Sequence, residues 1–176
     1  MNSVEEQFKS INISSSDENE NIYLLSNDNK KYTISTVSGK QLALIHNIIT
    51  EVKSSNEDPI PLPNVDGEIL KLIIEFCDEY KNFTYEEDDE KTPELTKFDK
   101  DFFDKISIKT LIEVINASNY LEYLHLENKS CFFMASIIKG KSVEELRLIL
   151  DLPDDLTDED KEIIKKENEW LNNKSL

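Results

Sequence analysis

A chain of 176 residues carrying 37 Asp and Glu against 20 Lys and Arg, a formal net charge of −17, has room for one ordinary core with appendages rather than two independent domains. That charge disfavours nucleic acid and anionic membranes as partners, because phosphate binding is driven by Lys and Arg displacing counterions, and it suits basic protein surfaces. No apolar run nears the roughly 20 residues of a membrane span and the start lacks a signal-peptide pattern, so a soluble chain of the cytoplasm and/or nucleus is expected. Cys77 and Cys131, with only His46 and His125 beside them, indicate neither a disulfide framework nor a zinc site. Buried, reduced thiols are the expectation for both.

Residues 1–21 are rich in Ser, Asn and Glu without sustained periodicity, and read as a disordered arm. Ile22 to Leu25 and Tyr32 to Val37 flank a polar turn and predict a β-hairpin. Leu42, Ile45, Ile49 and Val52 then fall on one helical face ending near Lys53. Asp58 to Asn64, DPIPLPN, must be extended, since each proline fixes its own φ and keeps its predecessor out of the α region; a short edge strand fits. Asn64 or Asp66 caps the next helix, whose stripe is Ile69, Ile73, Phe76, Cys77 and Tyr80.

Residues 84–97, TYEEDDEKTPELTK, read as a solvated acidic loop, lacking the glycine turn and ligand spacing of an EF-hand. Phe98, Phe102 and Phe103 restore apolar mass, and Ser107 caps a helix bearing Ile108, Leu111, Ile112 and Ile115, with Val114 and Leu121 on an adjoining stripe. The following helix, around Leu126 to Ile138, presents Cys131, Met134, Ala135 and Ile138 as a further stripe. Gly140 suits a left-handed C-cap, and Ser142 with Glu145 forms a capping box for a helix running to about Leu150, which Pro153 stops. Thr157 with Asp160 caps a last helix whose apolar residues are only Ile163, Ile164, Trp170 and Leu171. Helices this short and sparse are marginal alone, so the segment reads as a surface waiting for a partner. Strands and helices in front with only helices behind predict an α/β core with a helical extension.

Carboxylates are so abundant that pairing them carries no information. Three glycines cannot build a phosphate-cradling loop, and no G-x-S-x-G occurs. His46 reads as a surface or boundary residue and His125 lies at a helix junction without a Cys or Ser beside it. No catalytic constellation, cofactor site or metal site is indicated.

Four blocks in fixed order, DPIPLPNVDGEILKLIIEFC at 58–77, INASNYLEYL at 115–124, ASIIKGKSVEELR at 135–147 and LTDEDKEIIKKENEW at 156–170, resemble the Skp1 family, adaptors that link F-box proteins to a cullin in SCF ubiquitin ligases. The resemblance spans about 22–172. It implies a BTB/POZ-type α/β domain, a small sheet packed by helices, over 22–139, and a C-terminal two-helix extension over 140–172 that completes an F-box-binding surface. It places Asn119 and Tyr120 toward the cullin N-terminal domain. It places Leu126, Cys131, Met134, Ala135, Ile138, Ile149, Asn168 and Trp170 toward the F-box, with intramolecular packing the competing role for Cys131, Ala135 and Ile149.

The chain also departs from the family. Val143 stands where many members have a proline that some protist members hydroxylate and glycosylate, so that regulation should be absent. Glu127 takes an often leucine position, which bears on F-box selectivity, and Phe98 stands where tryptophan before an acidic residue is common. The function implied is a non-catalytic adaptor bridging cullin and F-box proteins; pairing of the free chain with a second copy through its exposed apolar face is a separate question that the residues leave open. Two rivals stay open: a decoy, such as a pathogen's mimic in a host cell, that sequesters F-box proteins without productive cullin binding, and an elongin-C-like adaptor, against which the KENEW ending argues.

Overall fold

Ile22, Leu24 and Ser26 are buried while Tyr23 and Leu25 between them are half-buried, the period-two alternation of a strand with one face on a core. This strand, β1 (Asn21–Ser26), pairs antiparallel with β2 (Lys31–Ser35), setting Ile22 opposite Ile34 and Leu24 opposite Tyr32. The turn between them uses Asn29 in the left-handed region, φ 60°. In this computed structural model, residues 21–52, 58–83 and 94–168 are described. The arm at 1–20 and most of the acidic segment, 84–93, lie outside them.

The second strand stops two residues earlier than its β-prone sequence suggests. Ser35 accepts a hydrogen bond from the Ser38 backbone N–H and opens a one-turn helix, α1 (Thr36–Gly39), that carries Val37 with it. Gly39 packs closely there: a Cβ would come 2.7 Å from Ile22 Cδ1, so that side chain would have to shift. Helix α2 (Ala43–Val52) follows, with Ile45 fully buried and Ile48 and Ile49 packed on the core. The proline-rich segment forms β3 (Ile60–Leu62), which joins β1 in parallel and gives the order β2-β1-β3. Its edge position suits the prolines, which have no N–H to give a further neighbour.

Of the two candidate caps for α3 (Gly67–Glu79), Asp66 is the one used, accepting from the Glu68 N–H at 3.0 Å. Helix α3 buries Ile69, Leu70, Ile73, Phe76 and Cys77. The Phe76 ring is the centre of an aromatic group, with Tyr80, Phe102 and Phe98 rings 4.8, 5.4 and 5.8 Å away. The phenylalanines come from α4 (Lys97–Phe103), a helix the periodicity does not predict because it spans under two turns. Its signal is the capping box of Thr96 and Asp99. Ser107 caps α5 (Ile108–Tyr120) as its sequence indicates, but the buried face is Leu111, Val114, Ala117 and Ser118, continued by Leu121; Ile112 is exposed. The adjoining stripe, not the one through Ile108 and Ile112, faces α3.

Helix α6 (Leu124–Ile138) turns Leu126, Lys129 and Ser130 inward. Lys129 is 6% exposed and Asp99 is 0% exposed, and Lys129 Nζ meets Asp99 Oδ2 at 2.5 Å. The Tyr80 hydroxyl donates to Asp99 Oδ1 at 2.7 Å and the Thr96 N–H to Oδ2 at 2.7 Å, while Lys129 also donates to the Glu94 carbonyl at 3.2 Å. Burial works against the charge on Asp99, yet the Lys129, Tyr80 and Thr96 donors outweigh it and hold this carboxyl below the usual carboxylate range. Burial, with the Asp99 charge beside it, pushes the Tyr80 hydroxyl up to about 12, so it remains a donor. One network thus joins α3, the start of α4 and α6.

The described chain divides into two compact units, one ending at Ile137 and one beginning at Ile138. In the second, Gly140 has φ 74° at the C-terminal end of α6. The capping box of Ser142 and Glu145 opens α7 (Val143–Ile149), and that of Thr157 and Asp160 opens α8 (Asp158–Glu167). Pro153 is not what stops α7. Asp151 takes a left-handed φ of 54° and Leu152 N–H closes back on the Arg147 carbonyl at 2.8 Å, a Schellman closure complete before the proline. Asp154 then receives Arg147 Nη1 and Lys161 Nζ on its two oxygens, each at 2.6 Å, tying α7 to α8. Neither helix has a buried residue.

Asp99→Asn leaves the Lys129 ammonium buried without its anion and is expected to cost about 3 kcal/mol in urea unfolding, whereas adding Lys129→Met, which removes the unpaired charge while the introduced amide still accepts from its neighbours, should recover part of that loss. The Asp99 carboxyl is depressed on folding, so its contribution is complete above about pH 4, near the unfolded value, and is lost as pH falls through the lower folded value. The stability gap between wild type and Asp99→Asn should therefore close on acidification.

Candidate partner-binding surface

Turning Lys129 inward turns a different set of α6 residues outward. Cys131 and Ala135 are exposed, Met134 is half-buried, and Ile138, last in the helix, is 38% exposed. Leu124, one turn before Glu127 on the same side, is 53% exposed. Within the first unit, Leu124, Cys131 and Ala135 make an exposed outer stripe, with Met134 beside them partly packed on the core. Leu126, grouped with them by resemblance, is fully buried and supports the helix from beneath. Cys77 is buried as expected, but Cys131 is not: the register that buries Leu126 and Ser130 leaves it on the opposite side. Burial in part, then the Glu127 charge one turn away, raises the Cys131 thiol above its ordinary value. Burial raises Cys77 much further.

On the second unit, Ile149 is half-buried. Three apolar residues that the resemblance did not place toward the F-box are more open: Leu148 at 84% exposed, with Val143 and Leu152. Leu148 breaks the phase of Leu146, Ile149 and Leu150, and an apolar residue out of phase on so short a helix was the available signal. Asn168 is the C-cap of α8, donating through Nδ2 to the Ile164 carbonyl at 2.8 Å; Ile163 and Ile164 are exposed. Trp170 lies outside the described residues.

Asn119 and Tyr120 end helix α5. Tyr120 is half-buried against the core, and Asn119 is exposed with its Nδ2 donating to Glu127 Oε1 at 3.1 Å. The tight turn that follows, with Glu122 at φ 55° and Tyr123 N–H on the Ser118 carbonyl at 2.8 Å, brings the start of α6 back beside the end of α5. The structure therefore joins Asn119 to Glu127, eight residues on.

The His125 ring packs against Phe83 and Tyr80, with centroids 3.9 and 4.6 Å away, and His46 is half-buried on α2. Among the described residues no group of three His, Cys, Asp or Glu is placed to hold a metal ion, and no helix is long and apolar enough to cross a membrane. An open groove of about 790 Å³ between α4 and α6 is lined by Leu95, Phe132 and Phe133 with Lys100 and Asp104.

A three-stranded mixed sheet covered by helices, followed by a locally capped helical unit, places the chain among α/β interaction modules of BTB/POZ type. Two family profiles specify it further: Skp1 family, tetramerisation domain, matches residues 20–82, and Skp1 family, dimerisation domain, matches residues 126–171. The chain belongs to the Skp1 family. It is 36% identical to the Suppressor of kinetochore protein 1 of Schizosaccharomyces pombe, over 85% of this chain and 96% of that protein. It is 36% identical to the E3 ubiquitin ligase complex SCF subunit sconC of Talaromyces stipitatus, over 85% and 95% of the two chains. With the SCF ubiquitin ligase complex protein SKP1a of Dictyostelium discoideum it shares 35% identity over 87% and 96%.

The placement of the two thiols is directly measurable. In the native protein a thiol reagent should label Cys131 alone, more slowly than a free cysteine peptide at neutral pH and faster as pH rises, with Cys77 reacting only on unfolding. Mass spectrometry of peptides labelled before and after denaturation checks both.

Proposed function

We propose that this chain is the adaptor subunit of an SCF-type ubiquitin ligase, bridging a cullin to F-box proteins and making or breaking no bond itself. The observation that carries the reading is the outward apolar stripe of α6, Leu124, Cys131, Met134, Ala135 and Ile138, on a chain of a family whose relatives are named as SCF subunits. A helix face of this kind is covered by a partner helix, and fully desolvated anchors within it carry most of the affinity. The F-box helices cover this stripe together with Ile149, Asn168 and Trp170 of the C-terminal extension. The cullin N-terminal domain docks at Asn119 and Tyr120, at the end of α5. Catalysis in the assembly is then positional: a substrate held by the F-box protein is brought within reach of a ubiquitin-loaded enzyme on the cullin. In the free chain the same stripe supports self-association, which F-box binding displaces.

Reconstitution with a cullin N-terminal domain and an F-box domain tests the division of labour. Ile138→Asp and Trp170→Ala should weaken F-box binding, the latter by about 2 kcal/mol, and leave cullin binding intact. Tyr120→Ala should do the reverse. Normal F-box binding by both of the first variants removes the proposed face, and a wild-type chain that binds F-box domains but no cullin is a decoy.

Because α7 and α8 bury no side chain of their own, amide exchange across residues 158–167 should be fast in the free chain and slow by orders of magnitude once an F-box domain is bound. Full protection in the free monomer overturns that coupling.

A further inference from the structure

Helix α6 carries its charges the wrong way round for a surface helix. The cation Lys129 points inward, and the outward stripe through Leu124, Glu127, Cys131 and Ala135, spaced at three and four residues, is apolar except for the carboxylate of Glu127. Glu127 is itself half-buried, with exposed Leu124 one turn before it and exposed Cys131 one turn after. Asn119 Nδ2 donates to Glu127 Oε1 at 3.1 Å and so holds the carboxylate against the helix face. An amide orients that charge without neutralising it.

We propose that Glu127 is a specificity-determining residue of this face, selecting F-box segments that set a lysine or arginine against it and rejecting those that are apolar there. The inference rests on α6 being the F-box contact. A partner that covers Leu124 and Cys131 must also dry the carboxylate between them. An apolar partner leaves the charge buried with one amide donor, and its desolvation counts against the complex. A partner ammonium or guanidinium instead forms a charge-assisted hydrogen bond with the carboxylate that Asn119 has already oriented, while its aliphatic stem lies along Leu124 and Cys131. The same carboxylate is the attraction for one partner class and the penalty for the other.

The test is a selection. An F-box domain with its partner-facing helix positions randomised is displayed on yeast and sorted against the full chain, as wild type, Glu127→Leu and Glu127→Gln. The wild type should enrich Lys or Arg at one position about tenfold over Glu127→Leu, which should enrich apolar residues at that same position. Glu127→Gln keeps the shape and the Asn119 contact, and should lose the Lys and Arg enrichment without gaining the apolar one. Clones selected by the wild type should weaken as salt rises, and those selected by Glu127→Leu should not. An identical residue preference in the wild-type and Glu127→Leu selections overturns the proposal, as does a Glu127→Leu chain whose only altered affinity is for a cullin N-terminal domain. Recovery of no clone by any of the three chains sinks the F-box reading itself, a failure distinguishable from the others.

Discussion

Lys129 is drawn into the interior by the Asp99 carboxylate, and that contact decides which way helix α6 faces. An ammonium is costly to bury, and here it is met by a carboxylate at 2.5 Å and a backbone carbonyl at 3.2 Å, with Tyr80 and Thr96 holding the carboxylate in turn. With Lys129 inward, the residues half a turn away must point outward, and these are Cys131 and Ala135. A helix rotated to bury its more apolar stripe would leave Asp99 uncompensated beneath it. Stability taken alone does not demand an ion pair here. Its effect is to single out one rotation from several that hydrophobicity would allow, and the surface offered to a partner follows from that rotation.

The second unit is built on another basis. Neither α7 nor α8 has a fully buried residue, yet each begins with a complete capping box, and Asp154 links them through Arg147 and Lys161. These are local hydrogen bonds and exposed ion pairs, individually small and screened by salt. They define where helices begin and end without supplying the apolar burial that normally holds a helix in place. Leu148, Val143 and Leu152 stay open.

Much of this was readable from the residues, for a consistent reason. The hairpin, the proline-rich edge strand, the caps at Asp66, Ser107, Ser142 and Thr157 and the left-handed Gly140 all depend on neighbours within about four positions. The phase of α3 was equally plain, since one strongly apolar face leaves a single way to pack. Two corrections, the early end of β2 at the Ser35 cap and the closure of α7 before Pro153, are also local, but the others depend on distant residues. Helix α4 is too short for its period to show and is held by Phe76 from α3 and by Lys129 from α6. In α5 two apolar stripes competed, and the one with Val114 and Ala117 won because α3 lies against it. Cys131 and Leu126 exchanged their expected environments for the same kind of reason.

By itself, then, the sequence determined the family, the order of the strands and the longer helices and most helix caps, because those are written in local hydrogen bonding and in blocks of residues kept in order. Tertiary structure alone decided which face of α5 and α6 is inside, that Asn119 reaches Glu127, and that Cys131 is open while Lys129 is not. Helical periodicity states which residues share a face. Contacts arriving from distant residues, Asp99 under Lys129 from 30 positions away and the core beneath Leu126, Phe133 and Ile137, state which face is covered.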